Sequence, residues 1–376
     1  MKYLIIGGGI AGLSTALAFE QKGIDYSVYE RTPAYKMVGA GIWLAPNALQ
    51  VLESFNLING IKEAGNAINR ITLGKKDLTP LSDTPQERFI EEYGFGTIAI
   101  HRAKLTKLLI DKIPNKKIHL GKDLKSINSH NKDEAVLNFE DGSVAKGNSI
   151  IGADGIYSKV RQHIFPQSTI RYSGQSCWRG IAKHKIDPAF NTRGFELWGD
   201  GVRFGFSRVG PEMVYWFAVA KSPRNQKDKP GTTKQLLLDR YRSFNPIVNT
   251  IIQSTDENKI MRNDIDDLKP MKEWHQGNIC LIGDAGHATT PNMGQGGGQA
   301  IEDAFYLSRA IANDPTNAFA TFQAQRQNKV NNIVNQSWMM GKVAHLKFGS
   351  GLRNFILSNA PQSMMNKTMD ELYRLD

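Results

Sequence analysis

An apolar run followed by spaced glycines at the N-terminus constrains the fold of this 376-residue chain most strongly. Tyr3 to Ile6 lead into Gly7, Gly9 and Gly12, and a helical pattern follows. Gly7 permits a tight turn, Gly9 lets the backbone approach a pyrophosphate, and Gly12 lets the helix pack closely on the strand. The pattern predicts a βαβ unit that binds phosphates at a helix N-terminus.

A carboxylate at the end of the second predicted strand completes this nucleotide site. The strand that starts at Tyr26 ends at Glu30, eighteen residues after Gly12. An acidic side chain there suits a ribose diol and repels a 2′-phosphate. The pattern therefore favours bound FAD or NAD over NADP, with a purely structural glycine turn as the alternative.

Composition and cysteine usage narrow the class of protein. A chain of this length that is 40% hydrophobic can bury a large core, in two domains or one elaborated domain. It has no apolar run long enough to span a membrane, and its N-terminal glycines belong to the βαβ unit rather than to a signal peptide. Cys177 and Cys280 form no CxxC pair, so we expect a cytoplasmic protein without a disulfide framework.

The chain carries a formal net charge of +11, which is typical of proteins that bind nucleic acid or anionic surfaces. Its lysines are scattered, however, and no arginine-rich tract occurs. We therefore expect a basic solvated surface with no nucleic-acid or membrane partner. No cluster of His, Cys, Asp or Glu has ligand spacing, so we expect no metal site.

The pattern of elements changes several times along the chain and predicts interleaved domains. Residues 171 to 263 are β-rich, and the short apolar segment 278 to 282 predicts a return to the nucleotide-binding fold. We expect a discontinuous nucleotide-binding domain over 1–72, 97–168 and 270–335, a second β-sheet domain over 73–96 and 169–269, and C-terminal helices over 336–376.

Three motifs in a fixed order carry a family resemblance. They are Gly7 to Gly12, Gly152-Ala153-Asp154-Gly155, and Gly283-Asp284 with Pro291-x-x-Gly294-Gln295-Gly296-Gly297. Together they resemble the single-component FAD-dependent aromatic monooxygenases, which include para-hydroxybenzoate, salicylate and urate hydroxylases and zeaxanthin epoxidases. The resemblance covers nearly the whole chain. It implies an α/β fold, with a Rossmann-like FAD-binding domain interleaved with a β-sheet substrate domain and followed by C-terminal helices.

The resemblance also assigns cofactor roles. Asp284 is expected to bind the ribityl hydroxyls and Arg102 the pyrophosphate, while Asp154 contacts the nucleotides or caps the following helix. The loop from Pro291 lies against the isoalloxazine, and the helix after it favours negative charge near flavin N1. The expected FAD-binding residues are Gly7, Gly9, Gly12, Glu30, Arg31, Gly41, Ile42, Arg102, Leu124, Asp154, Asp284, Gly294, Gln295, Gly296 and Gly297.

The family's chemistry implies that NADH or NADPH reduces FAD and that O2 adds at flavin C4a. The hydroperoxide then delivers one oxygen atom to an electron-rich carbon of a small aromatic or heteroaromatic substrate. The chain has no second GxGxxG, which fits transient docking of the nicotinamide nucleotide and leaves NADH or NADPH open. A monomer or a homodimer is expected.

Residues of the β-rich segment are the candidates for the substrate site. We expect Arg179, Arg203, Tyr215 and Trp216 to contact substrate, and Arg203, Tyr215 and Pro291 to act in catalysis. On neighbouring antiparallel strands, Arg203 and Tyr215 are expected to face each other and to present a cation and a phenol to an anionic ring. The alternative is that Arg203 forms a salt bridge and the two aromatic residues belong to the core.

Two other functions are weighed against this one. The spacing of Arg203 and Tyr215 resembles that of urate hydroxylases, but Arg179 stands where that subgroup is expected to carry a small amide, so urate hydroxylation remains an alternative. A non-catalytic FAD protein that sequesters a planar ligand is the other. No Trp-x-Trp pair supports a halogenase, and the absence of CxxC excludes a disulfide oxidoreductase.

Overall fold

The computed structural model describes residues 1–35, 39–131, 134–346, 349–359 and 361–375, so a few positions of the predicted segments lie outside it. The strands are β1 (Lys2–Ile6), β2 (Asp25–Glu30), β3 (Gly41–Leu44), β4 (Asn66–Ile68), β5 (Arg70–Lys75), β6 (Pro80–Pro85), β7 (Thr97–His101), β8 (Ile118–Leu120), β9 (Leu124–Asn131), β10 (Glu134–Phe139), β11 (Val144–Gly147), β12 (Ser149–Gly152), β13 (Ile170–Lys183), β14 (Arg193–Trp198), β15 (Val202–Gly210), β16 (Met213–Lys221), β17 (Met261–Leu268), β18 (His275–Gln276) and β19 (Ile279–Leu281). The helices are α1 (Ile10–Gln21), α2 (Pro46–Ser54), α3 (Ile58–Ala64), α4 (Glu87–Tyr93), α5 (Arg102–Ile110), α6 (Lys159–Ile164), α7 (Thr233–Tyr241), α8 (Pro246–Gln253), α9 (Asp284–His287), α10 (Gly296–Asn313), α11 (Ala318–Ala344), α12 (Ser350–Ser358) and α13 (Gln362–Tyr373).

A six-stranded sheet holds the glycine motif. Its order is β18-β19-β12-β1-β2-β8, and β1 pairs in parallel with both β2 and β12. Strand β19 comes late in the chain and pairs in parallel with β12. The late segment therefore returns to the sheet that holds the N-terminus, and the predicted α/β fold with a Rossmann-like nucleotide-binding unit is confirmed.

Two glycines in this unit are required by close backbone approach. A Cβ atom on Gly12 would lie 1.9 Å from the Gly7 carbonyl oxygen. Gly7 has a φ of +107°, which side chains other than glycine rarely adopt. The helix can therefore start directly after the strand, as the sequence pattern predicts.

A seven-stranded sheet forms the second layer and has two different faces. Its order is β17-β13-β16-β15-β14-β5-β6. Because side chains alternate along each strand, one face presents Trp178, Phe204 and Trp216 to α7 and α8, where they form an apolar core. The opposite face carries Arg179 and Tyr215 and packs against β3 and β7.

The structure corrects the expected position of Trp216. Its indole is fully buried in the core under α7 and α8, stacks on Phe204 with ring centroids 5.6 Å apart, and donates to the Thr255 hydroxyl at 2.8 Å. It lies on the face away from Arg179 and Tyr215. The expected substrate contact of Trp216 is wrong, because strand alternation turns its side chain into the core.

Two of the expected domain boundaries cut through elements. All six residues of β5 pair with β14, so a limit at residue 72 divides a strand of the seven-stranded sheet. A limit at residue 335 divides α11, which is continuous from Ala318 to Ala344. We propose that the second layer begins at Arg70 and that α11 is assigned as one unit. No helix within the described residues is long and apolar enough to cross a membrane.

Replacement of Trp216 tests the assignment of this side chain to the core. Trp216→Ala is expected to lower the free energy of unfolding by about 3–5 kcal/mol, since it leaves a large cavity in a packed core. Tyr157→Ala, which removes a 60% exposed aromatic ring, is expected to cost less than about 1 kcal/mol. Urea unfolding of both variants measures the difference. Equal losses would return Trp216 to the candidate substrate residues.

Candidate functional site

The turn between β1 and α1 leaves a helix N-terminus open. A Cβ atom on Gly9 would meet nothing within 4 Å. The first turn of α1 contains no acidic residue, and no side chain caps it. Its free amides and the positive end of the helix dipole therefore face open space, as a diphosphate requires. This part of the site fits FAD.

Glu30 closes the other side of this turn. Its carboxylate accepts from the Gly8 amide at 2.6 Å and from the Thr32 amide at 2.9 Å. The Tyr35 hydroxyl donates to the Gly8 carbonyl oxygen at 3.1 Å. Glu30 thus lies at the end of β2, beside the glycine turn, where a ribose diol is expected. Arg31 follows it and is exposed.

Asp284 begins α9 directly after β19. Desolvation by the neighbouring protein raises the pKa of its carboxyl, while the charges of His287 and Arg102 lower it. The Asp284 side chain is nevertheless exposed, so a ligand can reach it. Within the described residues no group donates a hydrogen bond to it. An accessible carboxylate without a donor fits a ligand that brings hydroxyl groups, such as the ribityl chain of FAD.

Arg102 lies on the same side of the molecule as Asp284. It is the first residue of α5 and is exposed, and its amide donates to the Ala40 carbonyl oxygen at 3.0 Å. Its charge lowers the pKa of Asp284. Among the described residues no carboxylate pairs with its guanidinium, which is therefore available to a pyrophosphate.

Asp154 and Leu124 are engaged in structural contacts. The Asp154 carboxylate accepts from the Ser158 hydroxyl at 2.5 Å and from the Lys159 amide at 2.7 Å, so it caps α6. The Leu124 side chain is buried beneath the six-stranded sheet, and the Lys159 ammonium donates to its carbonyl oxygen at 2.6 Å. Nucleotide contacts of both residues stay predictions.

The loop from Pro291 to Gly297 leads into α10 and contacts strand β3 and helix α2. Pro291–Met293 forms a 3₁₀ turn, and α10 begins at Gly296. A Cβ atom on Gly297 would lie 2.7 Å from the Ile42 side chain of β3. Gln295 is 2% exposed, and its side chain accepts from Asn47 at 3.0 Å. The Gln295 side chain therefore supports the loop, and a contact of its backbone with the flavin stays a prediction.

A buried polar network below this loop was missed in the sequence. Asp303 lies 2.6 Å from His287 Nε2, and its carboxylate accepts from the Gly283 amide at 2.8 Å and from Arg326 Nε at 3.0 Å. Neighbouring Glu302 is bound by Arg326 and by Lys329. Two adjacent acidic residues inside the apolar pattern of α10 are the sequence signal for such a network.

Arg203 is held by two side chains on the face opposite Trp216. Its guanidinium is 1% exposed and donates to Glu196 at 3.0 Å and to Asn292 Oδ1 at 2.6 Å. The Asn292 amide in turn donates to the Ser337 carbonyl oxygen at 2.8 Å. The salt bridge weighed as an alternative is present, and Arg203 also ties the sheet to the loop after Pro291.

The register corrects the expected facing of Arg203 and Tyr215. Arg203 lies opposite Val219, and Tyr215 lies opposite Ser207. The two side chains share a face but are separated along the strands. Sequence spacing could not show this, because the turn between β15 and β16 sets the register.

Tyr215 pairs with Arg179 instead. Burial raises the pKa of Tyr215 to about 12, although the charge of Arg179 and its hydrogen bond to the phenol lower it. A Cβ atom on Gly41 would lie 2.4 Å from the Tyr215 ring, so β3 packs directly on this side chain. Within the described residues no carboxylate pairs with Arg179, which leaves a half-buried cation beside a neutral phenol.

Comparison with known proteins agrees with this geometry. Residues 1–337 match the family described as FAD binding domain. The aurachin C monooxygenase/isomerase of Stigmatella aurantiaca is 34% identical over 90% of this chain and 88% of its own length. The 2-heptyl-3-hydroxy-4(1H)-quinolone synthase of Pseudomonas aeruginosa is 32% identical over 99% of this chain and 98% of its own. Klebsiella pneumoniae HpxO, solved with FAD and uric acid, is 27% identical with a TM-score of 0.90, covering 99% of this chain and 96% of its own.

Asp284→Asn tests the role of this carboxylate in cofactor binding. FAD affinity is expected to fall about tenfold or more, because hydrogen bonds to a charged acceptor are lost. The apoprotein should be no less stable, since burial already disfavours this charge. Fluorescence of released FAD and urea unfolding measure the two effects, with Asp111→Asn as an exposed control. Unchanged FAD affinity would remove Asp284 from the cofactor site.

Asp303 gives a pH-dependent prediction. Burial by itself raises the pKa of the Asp303 carboxyl. The charge and hydrogen bond of His287, together with Arg326 and the Gly283 amide, outweigh burial and lower this pKa from 3.8 to about 2. A lowered pKa stabilises the fold above pH 4, and the contribution is lost as the pH falls from 4 to 2. Asp303→Asn is expected to cost about 3–5 kcal/mol at pH 7.

The difference in unfolding free energy between wild type and Asp303→Asn should therefore shrink below pH 4. Urea unfolding across this range, with Asp25→Asn as an exposed control, measures it. A difference that is independent of pH would contradict the assignment of a charged Asp303 in the folded protein.

Proposed function

Because the chain belongs to the single-component FAD-dependent aromatic monooxygenases, we propose that it hydroxylates the electron-rich ring of a 4-quinolone-type heteroaromatic compound. The monooxygenase class is supported by the aurachin C monooxygenase/isomerase, which is 34% identical over 90% of this chain. The substrate class is supported by the quinolone synthase, which matches nearly the whole chain at 32% identity. We propose with it a cytoplasmic enzyme, monomeric or homodimeric, that takes electrons from NADH or NADPH.

The observation that carries the proposal is the half-buried Arg179 guanidinium beside the neutral Tyr215 phenol. A cation without a carboxylate partner in the described residues fits an oxygen substituent that carries negative charge. Bound to a ring carbonyl, Arg179 favours the deprotonated, more electron-rich form of the ring. Tyr215 stays protonated at neutral pH, because burial raises its pKa to about 12. The pair therefore orients and activates the ring.

When bound, FAD would supply the redox chemistry, namely acceptance of a hydride from NADH or NADPH and activation of O2 for transfer of one oxygen atom to the substrate. The protein supplies position and polarity. Amides of the glycine-rich start of α10 stabilise negative charge on the adjacent ring system. Arg203, through Asn292, holds the loop after Pro291 against the substrate sheet. The apolar packing of β3 on Tyr215 keeps water from this side.

Urate hydroxylation is the second candidate, because the HpxO structure with uric acid superimposes with a TM-score of 0.90. A substrate panel of 2-alkyl-4-quinolones, urate and salicylate separates the two. We expect the quinolones to accelerate NADH or NADPH oxidation and to yield a product heavier by one oxygen. If only urate accelerates NADH or NADPH oxidation and gains one oxygen, urate hydroxylation replaces the proposal. A bound ligand left unaltered would favour sequestration instead.

Arg179→Ala tests the substrate contact. The ratio kcat/KM for the stimulating substrate is expected to fall about 100-fold, since a desolvated charge contact is lost, while FAD stays bound. Arg208→Ala, on β15 with its side chain on the other face of the sheet, is the matched control and should change the ratio less than about twofold. Steady-state oxidation of NADH or NADPH measures both. An Arg179→Ala enzyme with an unchanged ratio would remove Arg179 from the substrate site.

A further inference from the structure

Exposed apolar side chains are concentrated near the C-terminus. Of the twelve large hydrophobic residues that are exposed in the described chain, seven lie between positions 339 and 356. Scattered exposed apolar residues are normal, whereas a concentration marks an interaction surface. We name these seven the C-terminal apolar surface: Met339, Met340, Val343, Leu346, Leu352, Phe355 and Ile356.

Helix α12 presents its apolar side to solvent. Leu352, Phe355 and Ile356 are 67%, 66% and 59% exposed and share one side at spacings of three and four residues. Arg353 is only 5% exposed and donates to the Ala344 carbonyl oxygen at 2.9 Å, with its guanidinium over the Trp198 ring. The amphipathic pattern is therefore inverted, with the charge inside and the apolar stripe outside.

Positive charge predominates on the exposed part of this region. Residues 315–369 contain no Asp or Glu but six Lys or Arg residues, of which Arg326 and Lys329 are paired with Glu302 and Arg353 is buried. Lys342 lies within the C-terminal apolar surface and is exposed, and Lys367 on α13 is exposed as well. The surface carboxylate of Asp200 accepts from Ser350 at 3.2 Å, at the N-terminus of α12. An anionic partner would meet little repulsion here.

We propose that the C-terminal apolar surface docks on an anionic lipid bilayer. Leu352, Phe355 and Ile356 enter the boundary between headgroups and acyl chains, and Lys342 meets the headgroups. A symmetric contact with a second copy would bring the same positive residues together and fits less well. Contact with the bilayer surface requires no spanning helix. Docking on a bilayer differs from the expectation, drawn from the scattered lysines, that the protein has no membrane partner.

The docked helix lies beside the substrate sheet. Arg353 covers Trp198, and Trp198 lies opposite Arg203 in the pairing of β14 with β15. A substrate with an alkyl chain would then reach the sheet from the bilayer. That consequence rests on the proposed function, whereas the docking itself does not.

Cosedimentation of the FAD-bound protein with vesicles tests the docking without any substrate. We expect binding to phosphatidylcholine vesicles that contain phosphatidylglycerol, weaker binding to phosphatidylcholine alone, and release by salt. Leu352→Ser/Phe355→Ser should weaken binding on the order of tenfold or more. Leu120→Ser/Val144→Ser, which removes two exposed apolar residues elsewhere, should bind like wild type. Lys342→Glu should also weaken binding.

Retention of FAD by each variant shows that it is folded. The proposal is overturned if the wild type does not bind anionic vesicles, or if the two double variants bind equally. Light scattering of the protein without vesicles tests whether the C-terminal apolar surface binds a second copy of the chain. A dimer that Leu352→Ser/Phe355→Ser dissociates, without vesicle binding by the wild type, would assign the surface to self-association.

Discussion

The buried carboxylate of Asp303 holds together the part of the molecule on which the site depends. It binds the Gly283 amide at the end of β19, His287 on α9 and Arg326 on α11. These contacts fix the start of α9, where Asp284 lies, and helix α10, which follows the loop from Pro291. Since a buried charge that loses a partner is costly, the three segments keep one arrangement.

The candidate site has two halves, and both depend on this arrangement. The proposed nucleotide half consists of an open helix N-terminus after Gly9, a carboxylate at Glu30 and the exposed carboxylate of Asp284, to which no described residue donates. The proposed substrate half is one face of the seven-stranded sheet. Arg203 joins the halves, because it binds Glu196 within the sheet and Asn292 in the loop. Neither half alone places a ring against the cofactor.

The sequence predicted the backbone fold of the nucleotide half well, because local patterns determine it. Glycines with required conformations, an apolar strand and a helix start lie close together in the chain, so Gly7 to Glu30 specify their own geometry. A motif singled out Asp284, whose position depends on the pairing of β19 and whose contact with FAD stays a prediction. The family and the α/β fold followed from the same patterns.

The substrate half was predicted less well, since strand register and face depend on distant pairings. Alternation along β16 places Tyr215 and Trp216 on opposite faces, and the pairing sets Arg203 opposite Val219. The partner of Tyr215 is Arg179, on β13. The polar network around Asp303 escaped notice because its members come from four segments that meet only in the folded protein. The inverted orientation of α12 was likewise invisible, since an amphipathic pattern does not say which side is covered.

We propose that the enzyme transfers one oxygen atom from O2 to a heteroaromatic ring, and turnover under ¹⁸O2 in unlabelled water, followed by mass spectrometry of the product, tests this most directly. We expect a product that carries one ¹⁸O atom, since the other atom leaves as water. A product without the label, or consumption of NADH or NADPH that yields hydrogen peroxide alone with every ring of the panel, would contradict it.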